Sequence, residues 1–542
     1  MKRENILLWS LVAASAVLMS IPFLVPNTGL LALIGFVPLL CMDRIADMTG
    51  RKRVWILHYA TFVLWNAITT FWVCNATVGG GIFAVIANAF QMSLIFGLFR
   101  YSKKKFSGAL PYIFLAVMWI AWERFYFDAE ISWPWLVLGN AFARSTWAVQ
   151  WYEYTGSLGG SLWIWACNLG TFGIMTALSD GRWNSFNIKA KSAATASLAI
   201  AFALPLAVSP FIGKKYTGAM DEGSSLPVLI VQPNIDPYNK FQAMTQDQQN
   251  AILTSLAGPV LEKRLQDSCA GPMLVIAPET FTSDIICGDY QRSRTWRRIT
   301  NFLKDYPGTD MLFGASSYEY TASEKAPSAT ARKVRDGLWV ESHNSALMVD
   351  GTARTEIFHK SKLVVAVEKT PYPALFCKID DLLGGVMGRC VGQEEISLLH
   401  VGQEPGSIPV GCAVCYESVY GEYCTGYVKK GAKALTVITN DAWWGDTPGY
   451  RQHLHYACLR AIETRRAIAR CANTGISAII SPEGKITARS EWWKPAVIEG
   501  KIPLRDDITF FVAHGDITGR VCTFIFCLLL LALAVRIVIS RK

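Results

Sequence analysis

Charged residues are scarce in this 542-residue sequence. They make up 17% of the chain, against roughly a quarter in typical soluble domains. Hydrophobic residues reach 51%, and the mean hydropathy is +0.26. The scarcity excludes a chain built only of ordinary soluble domains. It directs attention to apolar runs of about 20 residues, the length that crosses a bilayer as a helix.

The apolar residues are concentrated in eight runs of about this length. Long apolar runs are absent only from about 213–515, where the composition is that of a globular domain. The sequence therefore predicts a membrane domain of seven transmembrane helices over 1–212, a soluble insert, and a C-terminal transmembrane helix over 520–540. The predicted spans cover about 5–23, 27–42, 54–74, 80–99, 108–127, 158–178, 191–212 and 520–540.

Lys and Arg are absent from the connections at 24–26 and 75–79. With eight alternating spans, the basic clusters all fall on the opposite side, which is typical of cytoplasmic loops. The net charge of +10 thus comes from basic residues concentrated in the predicted cytoplasmic loops and does not indicate a nucleic-acid partner. Both termini are predicted to be cytoplasmic and the insert periplasmic. The basic clusters are Lys2–Arg3, Arg44 with 51–53, Arg100 with 103–105, Arg182 with Lys189 and Lys191, and 541–542.

A cleaved signal peptide is the alternative for the N-terminus, because Lys2 and Arg3 precede an apolar run. Such a peptide ends at a site with small residues. No such site precedes Pro26, and a second apolar span follows directly. We therefore expect the first span to be retained as a membrane helix.

The sequence holds 14 cysteines, of which nine lie in the insert. A periplasmic location permits disulfides, but an odd number leaves at least one thiol unpaired. Cys377 and Cys390 flank a glycine-rich stretch and are a possible pair.

The insert alternates apolar strands with helical segments. A helix is predicted over 452–475 and a hairpin over 476–490. Buried strands bounded by helices favour an α/β layered domain, here over 226–505. The predicted strands cover 227–235, 273–280, 311–319, 345–351, 408–417 and 434–443.

Three reactive side chains follow or adjoin predicted strands: Glu279, Lys360 and Cys415. Taken singly, Glu279 is typical of a residue that caps a strand and Lys360 of a solvated lysine. Cys415 is typical of a small buried side chain. Together they suit nucleophilic catalysis. A free thiol has a pKa near 8.5 and needs a base, which Glu279 would supply to the nucleophile Cys415. The Lys360 ammonium would stabilise the thiolate and then the oxyanion.

The residues around this trio carry a family resemblance. The insert resembles the nitrilase superfamily, and with seven spans before it and one after it the whole chain is similar to the apolipoprotein N-acyltransferase family. The resemblance implies an α-β-β-α sandwich outside the cytoplasm, in a bacterial inner membrane. The matching motifs are PET at 278–280, HKSKLVVAVE at 359–368, CYE at 415–417, TNDAWWG at 439–445 and ARCANTGISAIISPEG at 469–484.

The resemblance also implies a ping-pong reaction without a cofactor. Cys415 would take an acyl chain from a phospholipid as a thioester, and the α-amine of a lipoprotein's N-terminal diacylglyceryl-cysteine would accept it as an amide. Glu368 would orient Lys360, and the Tyr416 backbone N–H would face the oxyanion. The remaining matched positions beside the nucleophile or along the substrate site are Glu417, Trp443 and Phe241.

The sequence departs from the family pattern in places that concern substrate handling. VEKTPYP at 367–373 lacks a glycine that family members usually have, and Phe241 stands where a tryptophan is familiar. The stretch 372–392, with Gly384 and Gly385, is predicted to form a mobile substrate arm. These departures leave the acyl donor and acceptor less defined than the chemistry.

Two other functions compete with this interpretation. A membrane-tethered amidase or nitrile hydrolase would use the same trio, but anchoring needs one span and not eight. A transporter or scaffold with a degenerate domain would not need all three reactive residues. Metal and nucleotide motifs are also lacking: the histidines at 453 and 455 have no zinc-motif glutamate, and the glycines at 79–81 have no following Lys-Ser/Thr.

Overall fold

The structure is a computed structural model that describes residues 2–218, 220, 223–238, 240, 243–267, 271–382 and 387–540. It divides into two compact units: a helical unit of 1–215 with 514–542, and a sandwich unit of 216–513. Phe241, Gly384 and Gly385 lie outside the described residues.

The helical unit begins with nine α-helices. They are α1 (Lys2–Leu24), α2 (Val37–Met48), α3 (Trp55–Thr70), α4 (Val73–Ala76), α5 (Val78–Ser102), α6 (Leu110–Asp128), α7 (Tyr152–Ser179), α8 (Arg182–Ser185) and α9 (Ile188–Lys214).

Six helical segments among the described residues are long and apolar enough to cross a membrane. The predicted spans at 54–74 and 108–127 coincide with α3 and α6, which are outside that set. Helix α3 ends at Thr70 after 16 residues, and α6 carries Glu123 and Arg124. The count of eight spans therefore stays a prediction. The six segments are Arg3–Leu24, Gly29–Met48, Val78–Ser102, Tyr152–Ser179, Ile188–Lys214 and Ile517–Ile539.

The chain between α6 and α7 folds into short 3₁₀ turns. The buried Glu123 carboxylate accepts hydrogen bonds from the Leu138 backbone N–H at 2.8 Å and from the Trp119 indole at 3.1 Å. A buried backbone N–H needs such a partner. The charge within α6 therefore has a structural partner in this connection.

The sandwich unit contains fourteen described strands in two sheets. The strands are β1 (Ser225–Gln232), β2 (Met273–Ile276), β3 (Thr282–Ile286), β4 (Thr309–Ala322), β5 (Arg332–Arg335), β6 (Leu338–Asp350), β7 (Thr355–His359), β8 (Leu399–Val401), β9 (Ile408–Val414), β10 (Ala434–Thr439), β11 (Ile468–Ala472), β12 (Ala478–Ile480), β13 (Ile486–Arg489) and β14 (Ala496–Pro503).

The first sheet has the strand order β14-β1-β2-β4-β6-β5, with β3 on β4 and β7 on β6. The second has the order β13-β12-β11-β10-β9-β8. Strands β1, β2 and β4 run parallel, as do β9, β10 and β11. The carboxyl ends of neighbouring parallel strands lie at one edge, where polar residues of each sheet gather.

The remaining helices follow the strands. They are α10 (Gln246–Gln266), α11 (Arg294–Leu303), α12 (Pro373–Leu382), α13 (Gly421–Lys429), α14 (Pro448–Thr464), α15 (Phe510–His514) and α16 (Ile517–Ile539).

Strand β1 shows how the layers form. Leu226, Val228 and Ile230 pack in the core shared with the second sheet, which also includes side chains of α13 and α14. Leu229 and Val231 point the other way, into a core with α10 and α11. Successive strand side chains alternate between faces, so an almost wholly apolar strand is buried on both. The predicted α-β-β-α sandwich is confirmed.

The helix predicted over 452–475 is wrong beyond residue 464. Helix α14 ends at Thr464, Arg465 has φ +49°, and β11 follows between β10 and β12. The Arg466 guanidinium donates to the Ala432 carbonyl at 2.9 Å, and both side chains are buried. Periodicity alone does not separate a short buried strand from a helix. The predicted hairpin over 476–490 is confirmed by β12 and β13.

All thirteen described cysteines carry free thiols. Cys377 and Cys390 are among them, so the possible disulfide between them is not formed.

Candidate active site

Glu279 follows β2 and is buried, with 6% of its surface exposed. Its backbone crosses Gly314 of β4 so closely that a Cβ on Gly314 would lie 2.4 Å from the Glu279 Cα. Only glycine fits at such an approach. The Glu279 Oε2 accepts the Asn440 backbone N–H at 3.1 Å, which leaves Oε1 for neighbouring side chains.

Lys360 follows β7 and is 1% exposed. Its Nζ lies 3.1 Å from Glu279 Oε1 and 2.9 Å from Glu368 Oε1. Burial lowers the pKa of Lys360, but the negative charges of Glu279 and Glu368 outweigh burial and hold this pKa well above its ordinary value. The side chain is therefore a fixed cation between two carboxylates.

Asn344 joins the same two carboxylates. Its Nδ2 donates to Glu279 Oε1 at 2.7 Å and to Glu368 Oε1 at 2.6 Å. The backbone carbonyl of Asn344 accepts the Lys360 backbone N–H at 2.8 Å, because β6 and β7 pair in the register that places Ser345 opposite His359. The motifs in the sequence do not single out Asn344. Its position one residue before a predicted strand is the only available indication.

Cys415 follows β9 directly and has φ +52°. Positive φ is uncommon for residues other than glycine and occurs often at functional sites. Burial and the negative charge of Glu279 raise the pKa of the Cys415 thiol well above its ordinary value, and Lys360 lowers it by less. The resting side chain is therefore a thiol, and its reaction as a nucleophile requires a base.

Glu417 links the turn that begins at Cys415 to the loop that follows Lys360. Its Oε1 accepts the Ser361 backbone N–H at 2.7 Å, the Lys362 backbone N–H at 3.3 Å and the Tyr423 hydroxyl at 2.7 Å. Its Oε2 accepts the Val414 backbone N–H at 2.8 Å. One buried carboxylate thus fixes the segments on either side of the reactive groups.

Glu368 also closes a turn of its own loop. Besides the Lys360 contact, its Oε2 accepts the Val364 backbone N–H at 2.7 Å. The side chain is consequently held by both oxygens, which fits a role in orienting Lys360.

The aromatic residues predicted beside the nucleophile lie in different surroundings. Tyr416 is buried, and its ring packs edge-on against Tyr420 at 5.2 Å between centroids. Trp443 is 38% exposed and packs edge-on against the exposed Tyr238 at 5.3 Å. Phe241 lies outside the described residues.

The described part of the predicted arm is fixed by polar contacts. Arg389 pairs with Asp380 of α12 at 2.9 Å, and both side chains are buried. The Thr370 hydroxyl donates to the Gly388 carbonyl at 2.9 Å. The mobility of the arm stays a prediction.

Among the described residues, the grouping nearest to a metal-ligand set is Cys415, Asp441 and His453, with one ligand atom from each within 4.8 Å of the others. Asp441 already contacts His453 Nδ1 at 2.9 Å and pairs with the Arg470 guanidinium. The Arg470 guanidinium beside the Asp441 carboxylate disfavours the binding of a metal cation there. We therefore treat this grouping as a buried ion-pair network.

The described side chains supply a buried thiol, a buried carboxylate and a permanently charged ammonium. A base and a cation beside a thiol suit attack on a carbonyl carbon, in which negative charge develops first on sulfur and then on oxygen. These groups together have the chemistry that covalent acyl transfer requires.

Both parts of the chain match known families. Residues 15–170 match the apolipoprotein N-acyltransferase N-terminal domain, and residues 326–507 match the carbon-nitrogen hydrolase family. The apolipoprotein N-acyltransferase of Chlorobaculum tepidum is 30% identical over 519 residues, which cover 93% of this chain and 92% of the relative. The chain belongs to the apolipoprotein N-acyltransferase family.

A second relative agrees with this family. The apolipoprotein N-acyltransferase of Geobacter metallireducens is 25% identical over 94% of this chain and 92% of its own. Among solved structures, Saccharomyces cerevisiae Nit3, a member of the nitrilase superfamily, has a TM-score of 0.36 and 14% identity. It covers 55% of this chain and 97% of its own.

The family resemblance and the enzyme class predicted from the motifs are confirmed, and the chain is a membrane N-acyltransferase. The match over 15–170 distinguishes it from a tethered carbon-nitrogen hydrolase, because that match covers the helical unit and not the sandwich.

Proposed function

We propose that this member of the apolipoprotein N-acyltransferase family moves an acyl chain from a phospholipid to the α-amine of a lipoprotein's N-terminal diacylglyceryl-cysteine. Cys415 is the nucleophile, Glu279 the general base and Lys360 the electrostatic stabiliser. The observation that carries this assignment is the burial of the Cys415 thiol beside the Glu279 carboxylate, whose Oε1 lies 3.1 Å from the Lys360 ammonium. Family membership supports the substrates.

In the first half-reaction, Glu279 takes the thiol proton as Cys415 Sγ attacks the ester carbonyl carbon. The Lys360 ammonium and the Tyr416 backbone N–H stabilise the oxyanion. The carbon–oxygen bond to the glycerol then breaks, and Glu279 returns the proton to the leaving oxygen. The products are a lysophospholipid and a thioester on Cys415.

In the second half-reaction, the lipoprotein amine attacks the thioester carbonyl. Glu279 accepts a proton from the amine and returns one to the departing Cys415 sulfur. An amide is more stable than a thioester, so the transfer needs no nucleotide. Glu368 holds the cation in place during both steps, while Trp443 and Phe241 contact the lipid substrates.

The decisive measurement is intact mass spectrometry of the detergent-purified protein after incubation with phosphatidylethanolamine. The wild type is expected to gain one acyl chain on Cys415 that hydroxylamine removes and that a diacylglyceryl-cysteine peptide discharges. Cys415→Ala is expected to gain none. Cys412→Ala is the matched control, since Cys412 is a buried thiol of β9, the strand that Cys415 follows, and it should acylate like the wild type.

Two results would contradict this function. An acyl adduct that persists in Cys415→Ala would remove Cys415 from the mechanism. A Cys415 that reacts with alkylating reagents but never takes an acyl chain from phospholipid would favour the carbon-nitrogen hydrolase.

The membrane arrangement is a separate part of the proposal. The chain would consist of a seven-helix membrane domain over 1–212, a periplasmic catalytic domain over 226–505 and a membrane helix over 520–540, in a bacterial inner membrane. The basic clusters on one side of the predicted spans support this orientation. A green fluorescent protein fused after residue 542 of the full chain is expected to fluoresce, and alkaline phosphatase fused there to be inactive. The opposite pair of results would place the C-terminus outside the cytoplasm.

A further inference from the structure

Asn344 is a buried polar residue of the site to which the proposed reaction gives no part. It lies on β6 with 5% of its surface exposed, and its backbone pairs with Ser316 of β4. Its side-chain nitrogen donates to Glu279 Oε1 at 2.7 Å and to Glu368 Oε1 at 2.6 Å. One neutral side chain therefore contacts both the proposed base and the carboxylate that orients Lys360.

The two partners decide which way the Asn344 amide points. An ionised carboxylate only accepts hydrogen bonds, whereas an amide nitrogen carries two N–H groups. The nitrogen therefore gives one proton to each carboxylate, and the amide oxygen in its place would face two acceptors. Hydrogen bonds to charged groups are stronger than those between neutral groups. The two bonds consequently fix the positions of Glu279 and Glu368.

Lys360 and Asn344 bridge the same two carboxylate oxygens. Lys360 Nζ lies 3.1 Å from Glu279 Oε1 and 2.9 Å from Glu368 Oε1. The lysine offsets one of the two negative charges, while the asparagine adds hydrogen bonds and no charge. A second cation in place of Asn344 would favour the charged form of Glu279 further and make it a poorer base. A neutral donor thus suits a carboxylate that must be held in place and still accept a proton.

The Asn344 backbone connects the reactive groups to the sheet. Its carbonyl accepts the Lys360 backbone N–H at 2.8 Å. Glu279, Lys360 and Glu368 all lie outside the strands, whereas Asn344 lies within β6, which pairs with β4 and β7. Sites built on strands are more precise than sites on loops. Asn344 therefore ties three loop residues to the first sheet.

We propose that Asn344 is a positioning residue that holds the Glu279 and Glu368 carboxylates on Lys360 through two neutral hydrogen bonds and keeps Glu279 in place beside the Cys415 thiol. The inference rests on the proposed function of Glu279 as the general base. Because Asn344 acts through Glu279, its side chain should determine the rate of the chemical step and not the binding of the acyl donor.

The test is single-turnover acylation of the full-length detergent-purified protein at increasing concentrations of phosphatidylethanolamine, followed by intact mass spectrometry. Asn344→Leu has a side chain of similar size that donates no hydrogen bond. Its maximal rate of acyl-enzyme formation is expected to fall about 100-fold, the order of effect of a misplaced catalytic group. The half-saturating lipid concentration is expected to stay within about twofold of the wild type, since uniform binding is untouched.

Asn344→Asp separates hydrogen-bond donation from packing. It keeps the shape of asparagine and replaces the donor by a further carboxyl group. We expect its rate to fall at least as far as that of Asn344→Leu. A role in packing alone predicts the opposite order, so an Asn344→Asp variant that acylates at the wild-type rate would overturn the proposal.

Asn250→Leu is the matched control, because Asn250 is a completely buried asparagine of α10 that donates to Thr295 at 3.3 Å. It should acylate like the wild type even where its thermal unfolding temperature is lower. A rate within about threefold of the wild type in Asn344→Leu would overturn the proposal. If Asn344→Leu does not fold, Asn344→Ser, with a single donor, decides: a fall of about tenfold supports the proposal, and the wild-type rate overturns it.

A second acyl donor keeps this test separate from the proposed substrates. p-Nitrophenyl acetate, a small activated ester, can acylate the Cys415 thiol without phospholipid, and the burst of p-nitrophenol measures the same step. A wild type whose burst depends on Asn344 but which never takes an acyl chain from phosphatidylethanolamine would contradict the proposed function alone. Equal rates of the wild type and Asn344→Leu with both donors would contradict the role of Asn344 alone.

Discussion

Glu279→Gln is expected to lower the rate of acyl-enzyme formation about 10³-fold, within the range for loss of a general base. The amide oxygen can replace Oε1 toward Lys360 and Asn344, so the fold should persist with the loss of one hydrogen bond, that from the Asn440 backbone N–H. The pH profile of Cys415 alkylation by iodoacetamide is expected to show the opposite effect, because alkylation should become easier. The Glu279 charge raises the pKa of Cys415, so its removal should shift alkylation to lower pH.

Single-turnover acylation from phosphatidylethanolamine and the alkylation profile measure the two effects. Glu262→Gln, at an exposed position of α10, is the control and should match the wild type in both. Acyl transfer at the wild-type rate in Glu279→Gln would refute its role as the base. A profile shifted to higher pH would contradict the electrostatic account of the thiol.

Lys360→Met is expected to abolish acyl transfer and to destabilise the protein by about 3–5 kcal/mol, because it leaves the buried Glu279 carboxylate and the partly buried Glu368 carboxylate without their cation. A lysine pKa raised in the folded state contributes stability that is fully present below the unfolded-state pKa and is lost only as pH rises through the folded value. The pKa of Lys360 is raised well above 10.5. The destabilisation should therefore be constant from pH 6 to 9.

Thermal unfolding in detergent measures this loss, and a double variant separates structure from catalysis. Lys360→Met with Glu368→Gln removes one of the stranded charges and is expected to recover part of the stability and none of the activity. Lys362→Met is the control, because it also removes a lysine charge from this loop. The Lys362 Nζ lies over the Tyr420 ring, 5.2 Å from its centroid. A stable Lys360→Met would show that the two carboxylates do not depend on Lys360 for their charge compensation.

Much of the fold could be predicted because central strands such as β1 are buried on both faces. Runs such as that of β1 are apolar throughout, which suits a strand between two layers. The boundary between α14 and β11 could not be predicted in this way, because both elements are largely buried and each buries an arginine, Arg460 or Arg470. The left-handed Arg465 and the pairing with β10 set this boundary, and both depend on tertiary structure.

The candidate site was predictable only as far as its motifs extend. Glu279, Lys360 and Cys415 each stand in a recognisable stretch of sequence. Asn344 does not, since it reaches the carboxylates only through the register of β6 with β7. His453 is a similar case. Its sequence context excludes a zinc motif, and its contact with the Cys415 carbonyl arises from the packing of α14 against the turn Cys415–Val419.

The strand order constrains when the enzyme becomes reactive during its synthesis. The first strand of the sandwich unit, β1, pairs with the last, β14, while Glu279 and Lys360 come from the first sheet and Cys415 from the second. Such distant pairing forms late, because the intervening chain must first be ordered. A chain whose synthesis has not reached β14 already contains Glu279 and Cys415 but lacks the strand that pairs with β1 in the first sheet. We expect the base and the thiol to meet only after the whole sandwich unit has been synthesised, so that a nascent chain does not begin acyl transfer.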